Sequence, residues 1–296
     1  MKDPRQLSSK RIAKCLISLA VYAASGLRTL LVRLTGKSPK GSCVIVYYHS
    51  VPESQRTLFG KQLDQLRRHA KPMAVNEWTG LDSGGRYVAV TFDDGFENFY
   101  EHALPELVKR EIPATMFVIS DAIGKAFGPS DRSEKVMSLE QLRNLPDLVT
   151  IGSHTLSHPL LPSIAVDEAA REIALSRDRL EQQLNRKILL FSFPFGAFNE
   201  KLVEICREAG YQRVFSTLPS FAFIRPDEFV TGRVRVDPTD WPLEFKLKLV
   251  GAYRWLPWAF ELKRKLLHSS WVHKMSGSKR QLAGSAPPRS VLPRIE

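Results

Sequence analysis

Residues 88–95 read VAVTFDDG, and the fold is decided by what this stretch can be. Tyr87 to Phe92 is an uncharged apolar run rich in β-branched residues, the pattern of a strand covered on both faces. Asp93 and Asp94 follow at once, and Gly95 allows a sharp exit. Two neighbouring carboxylates at the C-terminal end of a strand repel each other unless something compensates. A metal ion is the usual compensation, because it keeps one acid ionised and leaves the other available as a base. Taken alone, a DDG reads more readily as a polar strand cap beginning a turn. The surrounding chain changes that balance.

Outward from this stretch, strand-like runs alternate with helical patterns. Cys43–Tyr48 is a buried strand ending at His49, and a short strand lies near Met73–Val75. Further strands are expected at Ala114–Ile119, Leu148–Gly152, Ile188–Phe193, Gln212–Ser216 and Gly232–Val236. Helical patterns fall at Leu58–Ala70 (with Leu58, Leu63 and Leu66 inward), Ala103–Arg110, Leu139–Asn144, Asp167–Gln183 and Glu200–Ala209. This alternation implies βα units and a parallel sheet. About seven units fit, which favours an α/β barrel over an open sheet, with chemistry gathered where the strands end. Asp93, Asp94, His49, His154 and Phe195-Gly196 all fall at such ends.

The chain has 296 residues, enough for one large α/β domain or two small ones. Cys15, Cys43 and Cys206 are too few and too scattered for a zinc finger or a disulfide framework. The net charge of +12 is carried by the ends: residues 1–40 hold nine Lys/Arg and one acid, and residues 243–296 hold eleven and three. A nucleic-acid enzyme carries its positive field on the working domain, so no nucleic-acid partner is expected. Charge on the flanks points instead to an anionic membrane surface or an acidic polymer, and hence to the cell envelope. Nothing in the sequence fixes an oligomeric state.

Four regions are expected. Residues 1–40 form a basic amphipathic segment, with Ile12, Leu16, Leu19, Ala23, Leu27, Leu30 and Leu34 on one face and Lys10, Arg11, Lys14, Ser25 and Arg28 mostly opposite. The run Cys15–Leu27 is short for a bilayer span, which leaves an interfacial helix, a signal peptide or a helix packed on the domain. Residues 41–242 form the catalytic domain. Residues 243–280 form a basic extension in which Trp255, Trp258 and Trp271 alternate with Lys and Arg, suiting a membrane interface or a plain surface helix. Residues 281–296, with a Pro pair and small residues, are expected to be a disordered tail.

His154 and His158 lie in IGSHTLSHP, residues 151–159, directly after a buried strand. Four-residue spacing on a helical turn sets both imidazoles on one side, suited to a single ion. A carboxylate from the Asp93-Asp94 pair completes a two-His, one-Asp set with open positions for water and substrate.

TFDDG at 91–95, SHTLSHP at 153–159 and FSFPFG at 191–196, in this order and spacing, resemble the polysaccharide deacetylases of carbohydrate esterase family 4. The family fold, also called NodB-homology, is a distorted (β/α)7 barrel, and the resemblance covers roughly residues 41–242. VIVYYHSV at 44–51 is similar to the branch acting on exopolysaccharide poly-N-acetylglucosamine. The resemblance implies that Asp93 is the general base. Asp94, His154 and His158 would hold a divalent ion, zinc foremost, with cobalt or nickel also accepted. It also implies that the backbone N–H of Phe195, beside Gly196, stabilises the oxyanion, and that Phe195 and Trp241 wall the acetyl pocket.

Two departures from the family pattern stand out. Its third motif often carries an Arg that orients the base, and Ser192 stands there; Arg233 or Arg235 could supply the guanidinium from a later strand. The family's general acid is the His of a Leu-x-His motif. Leu266-Leu267-His268 matches the letters but lies in a basic tail with no strand pattern, so His49 is the better candidate. The expected function is metal-dependent removal of N-acetyl groups from N-acetylhexosamine units of an envelope or exported polysaccharide, or of its lipid-linked precursor. Removal of O-acetyl groups from a glycan such as xylan is the alternative within the fold. A non-enzymatic glycan-binding or scaffold protein is the alternative outside enzymology.

Overall fold

The computed structural model describes residues 9–76, 81–131 and 133–262. Ser42–Tyr48 (β1) runs parallel to Arg86–Phe92 (β2) along its whole length, with Val44 opposite Val88 and Tyr48 opposite Phe92. Ala114–Val118 (β3), Val149–Ser153 (β4), Leu190–Ser192 (β5) and Arg213–Ser216 (β6) continue the sheet, every pair parallel. The last strand is split. Val230–Gly232 (β7) pairs with β6, whereas Val234–Arg235 (β8) pairs with β1. Only Arg233 separates the two pieces, so one broken strand bridges both edges of the sheet and nearly closes it. The result is the distorted (β/α)7 barrel that the motifs implied.

Alternation along the strands creates two apolar layers. Cys43, Ile45, Ala89, Phe117, Leu190 and Phe215 fill the inside of the barrel. Val44, Val46, Val88, Val90, Phe92 and Met116 point out, to a core shared with the flanking helices. Those helices are Arg56–His69 (α2), Leu104–Val108 (α3), Leu139–Arg143 (α4), Val166–Leu184 (α5) and Glu200–Glu208 (α6). On α2 the inward set is Phe59, Leu63 and Leu66, four and three residues apart. Leu58, expected inward, is half-buried because the helix phase gives its place to Phe59. Each fully buried side chain of this kind contributes about 1.5–3 kcal/mol.

The core continues past residue 242. Pro242–Leu249, the next helix, brings Phe245, Leu247 and Leu249 into it, followed by Ala252 and Tyr253. Ser9–Leu34 (α1) is a helix of 26 residues, long and apolar enough to cross a membrane by length and composition. Its polar side faces the protein. Arg11 donates to Glu244 at 2.8 Å, Ser18 accepts from Trp255 Nε1 at 2.9 Å, and Ser25 accepts from Arg254 at 2.7 Å. Residues 11, 18 and 25 are spaced two helical turns apart and so share one stripe. Leu16, Leu27, Leu30, Leu31 and Leu34 are exposed on the other side. This inverts the arrangement of an ordinary surface helix. Of the expected aromatic extension, Trp255 packs on Ser18 and Trp258 is exposed. Trp271, the Lys263–Lys265 run, the 266–268 match and residues 281–296 lie outside the described residues.

Candidate functional site

Asp93 follows Ala89 and Thr91 on the inward parity of β2, and its backbone N–H still donates to Tyr48 O at 3.0 Å. Its carboxylate meets Arg233 edge to edge, Oδ1 to Nη1 at 2.7 Å and Oδ2 to Nη2 at 2.8 Å. Arg233 is fully buried at the break in the last strand. Nη2 also donates to Ser192 Oγ at 2.7 Å and Nη1 to Thr91 Oγ1 at 3.0 Å. The rings of Tyr47 and Phe117 stand 4.8 and 5.1 Å from the guanidinium carbon. Burial pushes the Asp93 carboxyl up, but Arg233 and then His154 outweigh it and hold the group at about 2. Asp93 is therefore an ionised, oriented carboxylate at neutral pH. Arg235 does not join it; it lines the rim of the cleft instead.

Asp94 turns away from Asp93 at φ 72°, a left-handed conformation that Asp tolerates better than most residues. Its Oδ1 lies 3.6 Å from Nε2 of His154 and 3.6 Å from Nε2 of His158. One ligand atom from each of the three residues falls within 4.8 Å of the other two. Oδ1 is buried with no hydrogen-bond partner, and burial followed by the charge of Asp93 raises the carboxyl to about 8. Burial keeps both imidazoles neutral, His158 lowered to about 3, so each offers a lone pair. The Nδ1 of His154 is engaged at 2.7 Å by the carbonyl of Ser192, which turns its Nε2 toward Asp94. An orphaned carboxylate oxygen between two neutral imidazole nitrogens is a donor set that fits a divalent ion.

The two histidines do not meet through a helical turn, as their spacing suggested. Residues 154–159 form a loop in which Thr155 and His158 have φ of 69° and 64°. Thr155 Oγ1 accepts from His158 N at 2.9 Å. Glu172 on α5 accepts from the backbone N–H groups of Leu156 and Ser157, each at 2.9 Å. A turn braced this way brings the two rings to 4.8 Å between centroids. Backbone strain of this kind concentrates at functional sites and is held by such bracing.

Phe195 follows β5 at φ 58°, its ring 4.7 Å from that of His158. Gly196 is at φ 66°, and a Cβ there would overlap Thr217. His49 borders the same cleft, packed edge-on at 5.5 Å against Tyr47, and burial lowers it to about 4. The cleft encloses about 610 Å³ between Asp93, Asp94, the histidines, Phe127 and Phe195. Trp241 is not one of its lining residues; its ring instead carries the guanidinium of Arg11 at 4.4 Å. This corrects the expected acetyl-pocket role, because the N-terminal helix claims the indole. Glu172 and Phe127 carry no sequence signal as site residues: one is a helix acid, and the other sits in a two-residue strand, Ala126–Phe127, too short to show periodicity.

The chain matches the polysaccharide deacetylase family model over residues 80–214. It is 26% identical over 182 residues to the poly-β-1,6-N-acetyl-D-glucosamine N-deacetylase of Staphylococcus aureus, covering 57% of this chain and 61% of that protein. The chain spans roughly half to three-fifths of the length of the curated relatives it matches. Among solved structures, IcaB from Ammonifex degensii superposes with a TM-score of 0.62 at 28% identity, covering 72% of this chain and all of that one. The Streptococcus pyogenes deacetylase PplD shares the fold at a TM-score of 0.57 and 22% identity, covering 72% and 98% of the two chains. With the barrel, the paired acids and the histidine loop described above, residues 80–214 carry a polysaccharide deacetylase domain, and the fold around it is similar to that of IcaB across 72% of the chain.

Proposed function

We propose that the protein is a metal-dependent N-deacetylase acting on N-acetylhexosamine units of an envelope or exported polysaccharide, or of its lipid-linked precursor. One observation carries this reading. An ionised Asp93, clamped by Arg233, sits beside a three-residue donor set whose carboxylate oxygen has no other partner. Asp94, His154 and His158 would hold the ion, zinc by the family's preference. When bound, such an ion supplies Lewis acidity and makes nearby water easier to deprotonate.

The chain's own residues account for the rest. Asp93 accepts a proton from the attacking water, and the bidentate pair keeps its two oxygens from rotating away. Phe195 offers its backbone N–H to the oxyanion and its ring to the acetyl methyl. Neutral His49, on the same cleft wall, relays to the departing amine the proton that Asp93 took up. The named activity of the staphylococcal relative favours poly-N-acetylglucosamine as the polymer.

The membrane reading rests on the N-terminal helix, whose polar stripe docks on the protein while its leucines face outward. A helix so arranged lies along an anionic interface with its apolar side in the lipid. The decisive experiment for the chemistry is acetate release by zinc-reconstituted protein from N-acetylglucosamine oligomers, beside the Asp93→Asn variant and an acetylated xylan. Release from the oligomers by wild type alone supports the reading. Equal rates for both proteins would refute the mechanism, and xylan as the better substrate would refute the amide assignment.

A further inference from the structure

A second groove, of about 690 Å³, runs between the C-terminal half of the N-terminal helix and the end of the barrel where β1 and β2 begin. Its walls carry Arg28, Arg33, Lys37, Lys40, Arg86 and Arg254, and not one carboxylate. Of these, Arg254 is tied down, donating to Ser25 Oγ at 2.7 Å and Gly251 O at 3.1 Å, with Phe221 under its plane. The other five are exposed and make no ion pair with any described residue. Burial, and then the charge of Arg28, make it harder for Arg254 to stay protonated. Six like charges around one groove oppose the fold unless an anion joins them.

The groove opens beside the outward leucines. Leu30 lines it and is 54% exposed, and Leu27 and Leu34 flank it along the helix at 60% and 74%. Cationic side chains at the edge of an apolar helical face match a phosphate at the edge of a hydrocarbon layer. We infer that this groove is a headgroup site for an anionic phospholipid, with the lipid's phosphate among the arginines and lysines and its acyl chains along Leu27, Leu30 and Leu34. The site rests on the membrane reading given above and adds to it a place and a chemistry. It lies at the opposite end of the barrel from the strand ends that carry Asp93 and His154. A protein held there keeps its catalytic mouth turned away from the contact point with the lipid surface.

The test uses the full chain and two kinds of vesicle, phosphatidylcholine alone and equimolar phosphatidylcholine and phosphatidylglycerol. The double variant Arg28→Gln, Arg33→Gln is compared with Lys61→Gln, Lys109→Gln, which removes the same charge from α2 and from the residue just after α3, neither of which lines the groove. Near an anionic surface each cation is worth about five-fold in affinity, so the groove variant is expected to bind the mixed vesicles about thirty-fold more weakly. The control variant is expected to keep most of its affinity. Both variants are expected to keep wild-type acetate release on soluble oligomers, which shows that they are folded. Equal losses for the two variants would overturn the lipid site. Tight binding to both vesicle types alike overturns the groove but leaves the apolar helix as the membrane element. Binding to neither overturns the membrane reading itself.

Discussion

Ser192 and Arg233 share a 2.7 Å hydrogen bond through the same nitrogen that holds Oδ2 of Asp93. The serine stands where the family often carries an arginine, and the arginine arrives from the last strand instead. The charge that orients the base has changed its strand but not its target. Arg233→Ser is therefore expected to lower kcat about 10²–10⁴-fold, the range for a displaced general base. The swap Ser192→Arg with Arg233→Ser is expected to recover part of that loss. Acetate release with saturating zinc measures both, and a swap no better than the single variant would show that the fifth strand cannot present the guanidinium here.

Removing the carboxylate rather than the cation should register in stability. Asp93→Asn leaves the fully buried Arg233 without its counter-charge. Breaking a buried pair from one side costs about 3–5 kcal/mol. Chemical unfolding of the metal-free variant should show a loss of that order, and Asp93→Asn with Arg233→Met should restore a large part of it.

Glu172 makes no contact with the cleft but holds the turn that carries His158. Glu172→Gln is expected to weaken zinc affinity about 10–100-fold, as loss of a group that supports metal ligands does. Competition with a chromogenic chelator reads this directly. Unchanged affinity would show that Thr155 alone fixes the turn.

Without metal, the site carries a pH signature. The Asp94 carboxyl is raised from 3.8 to about 8, so the folded chain holds a proton that the unfolded chain has already released. Its contribution to stability is present in full below about pH 4 and is lost as pH rises toward 8. The cleft histidines, lowered from 6.5, act in the opposite sense at acid pH, so thermal melts of chelator-treated protein should fall between about pH 6.5 and 8, and excess zinc should flatten the profile there. In Asp94→Asn the metal-free slope should disappear.

Gly196 should tolerate no side chain. At φ 66°, with a Cβ overlapping Thr217, Gly196→Ala combines backbone strain with a steric clash. A loss of about 1–3 kcal/mol is expected, together with reduced activity, because Phe195 is the residue displaced.

Much of this architecture could be read from residue order because it depends on local pattern. The acids, the histidines and Phe195 each follow an apolar run, and a strand end on a barrel has one address. Arg233 could be named for its type and its strand, but not Arg233 over Arg235, since the two share one face of the strand and only their depth, buried against exposed at the rim, separates them. Four-residue spacing alone predicts a helical turn at 154–158, whereas the loop found there is braced by Glu172, one helix later. Trp241 sits outside the cleft because Arg11, 230 positions away, competes for its ring, a contact that no local pattern signals. Helical periodicity in residues 9–34 was visible, yet the side that would face the protein was not, because serines and an arginine found partners on residues 244–255.

The split last strand ties the assembly of the barrel to the readiness of its site. The two halves, 230–232 and 234–235, zip onto opposite edges of the sheet, and the residue at the seam is the one that grips Asp93. A slip of one residue in that strand would send the guanidinium to the outer face and bring an apolar valine in. Molecules that fail to seal correctly are therefore inert as well as loose, and closure of the barrel also arms the base.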